Sequence, residues 1–163
     1  MKLLAVGLIG CLALLAANEF SNRRAPGFSL MDSKFAQHDP QDYRGKVVLV
    51  DFIQTTCPIC LQLTENLVKV QQKYGDKIGI LSITTLPDNF QTADTYTKEH
   101  HLSWPILFDS GQVMTSYLKV TPANPQVHFP HLFVIDKQGM IRADFEGEKS
   151  PEEISAEIEK LTK

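Results

Sequence analysis

The residues of this chain best suited to chemistry are two cysteines, Cys57 and Cys60, separated by Pro58-Ile59. At that spacing on a helix they share one face, one turn apart and within disulfide reach, so the pair can exchange electrons with a disulfide in another molecule. One thiolate attacks and the other displaces the product from the mixed disulfide. Their setting says which does which. Val47-Val48-Leu49-Val50-Asp51-Phe52-Ile53 is a short β-branched run that reads as an interior strand, Gln54-Thr55-Thr56 as a polar turn, and Leu61, Leu63, Leu67, Val68 and Val70 continue at roughly helical spacing. The cysteines therefore open a helix, where unpaired amides and the positive end of the helix dipole favour a thiolate. Cys57, the outer sulfur, is the candidate nucleophile, and Cys60 the candidate resolving cysteine.

Other uses of the same pair stay open on the residues alone. A zinc site would need two further ligands, for which His128 and His131 are available, and an inert structural disulfide is conceivable. The two histidines could also tune the thiolate or join both sulfurs around Cu(I). Asp51, inside the apolar strand, is either a solvated strand-end residue or a carboxyl perturbed by burial. Thiol exchange needs no cofactor, and no resident metal is expected.

The elements that must position these residues read as a βαβ arrangement. Ala25 to Asp32 alternates as a short extended segment, and Ser33 to Arg44 is loop-like. The helix from Cys57 ends near Tyr74-Gly75, Ile78 to Thr84 is a second apolar strand, and a helix is expected between Asn89 and His101 after the start signal Pro87-Asp88. Strand, helix, strand implies a parallel pair. Trp104 to Asp109 reads as extended, Gln112 to Lys119 as a short helix, and Thr121 to Pro130, with three prolines, as irregular. His131 to Asp136 and Met140 to Phe145 flank the turn Lys137-Gln138-Gly139 as a hairpin. Ser150-Pro151-Glu152-Glu153 opens a terminal helix that runs to about Leu161.

Taken in order, Ala25-Pro26-x-Phe28-x-Leu30-x-Asp32, then Arg44-Gly45-Lys46 before an apolar strand, then C-x-x-C, resembles the TlpA-like and redoxin branch of the thioredoxin superfamily. The resemblance covers residues 25 to 163 and implies an α/β thioredoxin-like fold, a central mixed sheet with helices on both faces. It implies thiol-disulfide oxidoreductase activity on protein thiols and disulfides, with the reducing direction favoured. Val50-Asp51-Phe52 matches the motif in which a buried aspartate assists deprotonation of the second cysteine, which assigns Asp51 that catalytic role. Pro130 stands where thioredoxin folds carry a cis-proline, which would place Phe129 and Pro130 against an incoming substrate chain. The sequence also departs from the family: Thr56 replaces a tryptophan before the first cysteine, Leu63 a glutamate three residues after the second, and Pro58-Ile59 puts proline first in the dipeptide. The direction of electron flow therefore cannot be inherited. A copper-delivery protein resembling the Sco family and a peroxiredoxin are the alternatives. The first spaces its cysteines one residue wider, and the second wants threonine where Gln54 stands.

The bounds agree with one folded domain. The chain has 163 residues, is 43% hydrophobic and 21% charged, and carries a net charge of -3, which leaves no basic footprint for nucleic acid. Met1-Lys2 followed by Leu3 to Ala17 has the form of a signal peptide or membrane anchor, with residues 18 to 24 as a linker. Leu8-Ile9-Gly10-Cys11 also resembles a lipidation signal on Cys11. Export to the periplasm or cell envelope is expected, with a tether through the N-terminus possible, a membrane thiol as electron donor, and a monomeric state. Only Cys57 and Cys60 then remain in the folded domain, one redox pair rather than a disulfide scaffold.

Overall fold

The computed structural model describes residues 20–163. The leader expected over residues 1–17 and the lipidation signal at Cys11 lie outside them. Among the described residues, no helix is long and apolar enough to cross a membrane.

Two strands carry the architecture. Val47–Ile53 (labelled β4 in chain order) and Ile78–Thr85 (β5) are buried along their whole length and pair in parallel, Val47 opposite Ile78 through Ile53 opposite Thr84. Their near-continuous apolar character follows from being covered on both faces. Alternation divides β4 between two cores. Val47 and Leu49 face a cluster with Leu63, Leu67, Leu132, Val134, Ile154 and Ile158. Val48, Val50 and Phe52 face a second, with Phe28, Tyr117, Leu118 and Phe133. Asp51 therefore shares the face of Val47, Leu49 and Ile53.

The remaining strands are Arg23–Arg24 (β1), Leu30–Asp32 (β2), Gln37–His38 (β3), Ile106–Asp109 (β6), His131–Ile135 (β7) and Met140–Glu146 (β8). They complete a mixed sheet in the order β1-β8-β7-β4-β5-β6-β2-β3. β6 runs parallel to β5, whereas β7 is antiparallel to β4 and forms the expected hairpin with β8.

Three helices, Pro58–Tyr74 (α1), Phe90–Glu99 (α2) and Pro151–Thr162 (α4), put buried residues into the clusters on the Asp51 face. Gln112–Leu118 (α3) covers the other face through Tyr117 and Leu118. Helices lie on both faces, as expected. The α4 start has Ser150 as N-cap and Pro151 at the first helical position, as expected, and Ser150 and Glu153 also form a capping box.

One expected boundary is different. The stretch at 18–24, read as a linker from its polarity, is part of the fold from Phe20 onward. Arg23 and Arg24 pair with Ile141 and Met140, Ser21 Oγ donates to Asp144, and Phe20 meets the rings of His131 and Phe133 edge-on. Polarity was a poor guide because an edge strand of two residues needs backbone pairing and no apolar face. The loop-like stretch 33–44 likewise contains β3 and a short 3-10 turn at Pro40–Tyr43.

Candidate active site

Cys57 is the N-cap of α1, with extended backbone (φ -88, ψ 117), and Pro58 follows as the first helical residue. Proline suits that place because its missing N–H would have had no helical partner. The Cys60 amide donates to the Cys57 sulfur at 3.3 Å, the contact by which a helix N-terminus favours a thiolate. The two sulfurs differ in exposure. Cys57 is half-buried, with Thr56, Pro58 and Ile59 exposed around it, while Cys60 is fully buried among Ile53, Ala93, Tyr96 and Ile106. Both are free thiols. Burial first, then the hydrogen bond with Cys57, pushes the Cys60 thiol up to about 12. An incoming disulfide can reach Cys57, and Cys60 must lose its proton before it can act.

Asp51 is fully buried, on the α1 side of β4, and interacts electrostatically with Cys60. Burial raises its carboxyl to about 7, against the opposing pull of hydrogen bonds from Ser82 and from its own backbone. The solvated strand-end reading of this residue does not hold. A carboxyl titrating near neutrality beside a thiol that must be deprotonated can accept the proton.

Phe129 packs against both the cysteine-side and the Phe133-side clusters, and Pro130 behind it is buried. The Phe129–Pro130 bond is cis, and so is Leu86–Pro87, which nothing in the sequence signals. The backbone N–H and carbonyl of Phe129 make no hydrogen bond with the described residues.

His131 lies away from the sulfurs. His131 starts β7 with the parity of Phe133, so its ring lies on the sheet face opposite Asp51 and α1. There it stacks on Phe133 with ring centroids 4.6 Å apart and meets Asp144 at 3.3 Å. His128 is exposed. Among the described residues, no group of three or more His, Cys, Asp or Glu is placed to hold a metal. The expectation that His131 could join the sulfurs around copper fails because strand alternation puts the sheet between them.

Two features of the site are not evident in the sequence reading. Asp88, after β5, is 4% exposed and accepts four hydrogen bonds: from the Thr55 N–H at 2.9 Å and from the hydroxyls of Thr55, Thr84 and Thr92. It fastens the turn before Cys57 to the end of β5 and the start of α2. Behind Asp51, Ser82 Oγ donates to Oδ1 at 2.8 Å, and the Trp104 indole N–H donates to the same Ser82 oxygen at 2.8 Å. The signals were present: Ser82 is the single hydroxyl of the run Ile78 to Ile83, and Trp104 is the sole tryptophan.

A cavity of about 610 Å³ is lined by Val48, Ile135 and Lys137 at the opposite end of β4. An open cleft of about 290 Å³ lined by Thr55, Gln91, Thr92 and Tyr96 lies by the turn before Cys57. With Thr56, Pro58 and Ile59 exposed around Cys57, the cysteine end presents a surface that a macromolecular partner can reach.

Comparison with known proteins agrees with this geometry. The family model described as Redoxin matches residues 20–161. The thioredoxin-like protein YneN of Bacillus subtilis (strain 168) is 26% identical over 144 residues, covering 84% of this chain and 78% of the relative. The thiol-disulfide oxidoreductase ResA of Bacillus thuringiensis subsp. konkukian is 26% identical over 141 residues, covering 86% and 78%. Among solved structures, a thioredoxin family thiol:disulfide interchange protein from Chlorobium tepidum superposes with a TM-score of 0.75 at 19% identity, over 85% of this chain and 95% of that one. The fold is thioredoxin-like.

Proposed function

This chain belongs to the Redoxin family, and on that premise we propose that its Cys57–Cys60 pair exchanges disulfides with protein substrates outside the cytoplasm, in the reducing direction. It is a thiol-disulfide oxidoreductase of thioredoxin-like fold. The observation that carries the assignment of roles is the asymmetry of the pair. Cys57 is half-exposed at a helix N-cap with an amide on its sulfur, and Cys60 is buried behind it, next to a carboxyl that titrates near neutrality.

In this reading the Cys57 thiolate attacks a substrate disulfide, forming a mixed disulfide and releasing one substrate thiolate. The substrate chain runs extended along Phe129-Pro130, whose free backbone groups at Phe129 can pair with it. Cys60 then gives its proton to Asp51 and attacks the Cys57 sulfur. The Cys57–Cys60 disulfide forms, the second substrate sulfur leaves as a thiolate, and the substrate is reduced by two electrons. Regeneration requires an outside reductant, for which a membrane thiol donor fits an exported protein. The leader-like residues 1–17 support export and allow a membrane tether.

The test is trapping. A Cys60→Ser variant should accumulate a stable mixed disulfide with a disulfide-bonded protein such as insulin, and Cys57→Ser should accumulate none. Equal trapping by both variants would refute the division of roles. A reduction potential near ~-270 mV would support the reducing direction, and one near ~-120 mV would reverse it.

A further inference from the structure

Asp51, Ser82 and Trp104 form a hydrogen-bonded row, the first two level with each other on adjacent strands and the third just before the next strand. Asp51 on β4 is the register partner of Ser82 on β5, Ser82 is the partner of Ile106 on β6, and Trp104 lies two residues before Ile106. The sense of the hydrogen bonds is determined by chemistry. An indole N–H only donates, so the Ser82 oxygen must accept from Trp104. A serine hydroxyl has one proton, and since an ionised carboxylate only accepts, that proton is directed to Asp51 Oδ1. Oδ1 is thus held as an acceptor. Oδ2, equally buried, has no hydrogen-bond partner among the described residues.

We propose that Ser82 and Trp104 are positioning residues for proton transfer, which hold Oδ1 of Asp51 as a hydrogen-bond acceptor and leave Oδ2 as the oxygen that takes the Cys60 proton. The proposal rests on Asp51 being the acceptor in the resolving step. As Cys60 attacks the Cys57 sulfur of the mixed disulfide, its S–H bond breaks and the proton goes to Oδ2. The Cys57–Cys60 bond forms with the electron pair left on Cys60, and the bond from Cys57 to the substrate breaks with its pair on the departing substrate thiolate. A Ser82 hydroxyl free to turn could leave either oxygen unbonded, or neither charge nor proton favoured at one of them. Trp104, by occupying one lone pair of the Ser82 oxygen, restricts that freedom.

The titratable groups that interact with Asp51 are Cys60 from α1 and Tyr96 from α2, whose hydroxyl donates to Thr64; Cys57 interacts in turn with both of these. Across β7 its register partner is Leu132, which does not titrate. Ser82 is the side chain that hydrogen-bonds the carboxylate, so losing it should make the carboxylate harder to form.

The experiment follows the Asp51 carboxyl carbon by NMR through a pH titration of the reduced full chain. In Ser82→Ala its midpoint should rise by about one pH unit, as expected for loss of one hydrogen bond to a buried charge. Ser82→Thr, which keeps the hydroxyl, should restore the wild-type midpoint. Trp104→Phe should move it the same way by less, and this variant carries the prediction if Ser82→Ala does not fold. A merely structural role would lower stability and leave the midpoint in place. A wild-type midpoint in Ser82→Ala overturns the assignment of Ser82 whatever the kinetics. A wild-type rate of mixed-disulfide resolution in Asp51→Asn instead overturns the acceptor role on which the proposal stands.

Discussion

Replacing Asp88 by alanine tests whether the turn before the nucleophile is held by one buried carboxylate. Asp88 accepts from the Thr55 N–H and from the hydroxyls of Thr55, Thr84 and Thr92. In Asp88→Ala the three hydroxyls can rotate toward other acceptors, but the Thr55 N–H cannot, and an orphaned buried donor costs ~1–3 kcal/mol. With modest losses at the hydroxyls, the whole comes to about 3 kcal/mol, or about 6–12 °C in Tm for a chain of this size. The pH dependence separates charge from packing. Burial pushes the Asp88 carboxyl up, but the hydrogen bonds from Thr55, Thr84 and Thr92 outweigh it, and its pKa lies below the ordinary value. A depressed carboxyl contributes stability above the unfolded-state value of ~3.9 and loses it as pH falls through the folded value. The gap between wild type and Asp88→Ala, measured by urea denaturation of the reduced protein, should be full at pH 7 and close below about pH 4. Amide exchange at Thr55 should quicken in the same variant. A gap under ~1 kcal/mol at pH 7, or one equally large at pH 7 and in acid, would refute the argument that charge-assisted hydrogen bonds hold this turn.

Asp51 carries the opposite sign. Its pKa is raised to about 7, chiefly by burial, so its contribution to stability is full below ~3.9 and is lost as pH rises through 7. Asp51→Asn, with no charge to bury, should gain on wild type between about pH 4 and 7 and keep an advantage of at most ~4 kcal/mol above that. Resolution of the mixed disulfide should meanwhile slow by about 10²-fold, the usual contribution of a positioned base. Urea melts at pH 5 and 8 and quenched-flow trapping check the two, and a variant less stable than wild type at pH 8 would contradict the first. His131→Ala should remove the stack on Phe133 and the contact with Asp144 at a cost of about 2–4 kcal/mol, with the rate of insulin reduction within about twofold of wild type. A tenfold slower exchange at unchanged stability would show that the ring communicates with the thiols through the sheet.

The elements legible in the sequence are those with a strong period or a chemical marker. β4, β5 and the β7–β8 hairpin follow from β-branched runs and the Gly139 turn, the start of α1 from the apolar spacing after Cys57, and the start of α4 from Ser150-Pro151 and its acidic first turn. Phe20 to Arg24 was illegible because its contribution is backbone pairing and two ring contacts, neither of which leaves a pattern in one phenylalanine and four polar residues. The same limit governs the site. Cys57 and Cys60 announce themselves by spacing, whereas Asp88 becomes part of the site only because β4 and β5 end side by side, Ile53 opposite Thr84. Thr56, standing where relatives carry tryptophan, reads as a loss in one dimension. In the fold, Trp104 reaches the site by another route, two hydrogen bonds behind Asp51.

Asp51 and Asp88 show why the chemistry needs the fold for its assignment. Both are buried aspartates near the same end of the sheet; the Val50-Asp51-Phe52 match points to the first as proton carrier by resemblance alone, and Asp88 reads only as part of a helix start. Their partners separate them. Four donors converge on Asp88 and keep its pKa below the ordinary value, so it stays charged through the working range and serves as a fixed anchor. Asp51 accepts from one side chain, Ser82, and burial dominates, which leaves it at about 7 with one oxygen unbonded. A carboxyl that cannot change state can hold a turn, and one poised between states can move a proton. The resolving step requires the second kind beside Cys60 and the first kind beneath Cys57. Exchanging the environments of the two aspartates, for instance by giving Asp51 further donors, would give a protein that still forms the mixed disulfide at Cys57 and is slow to release it.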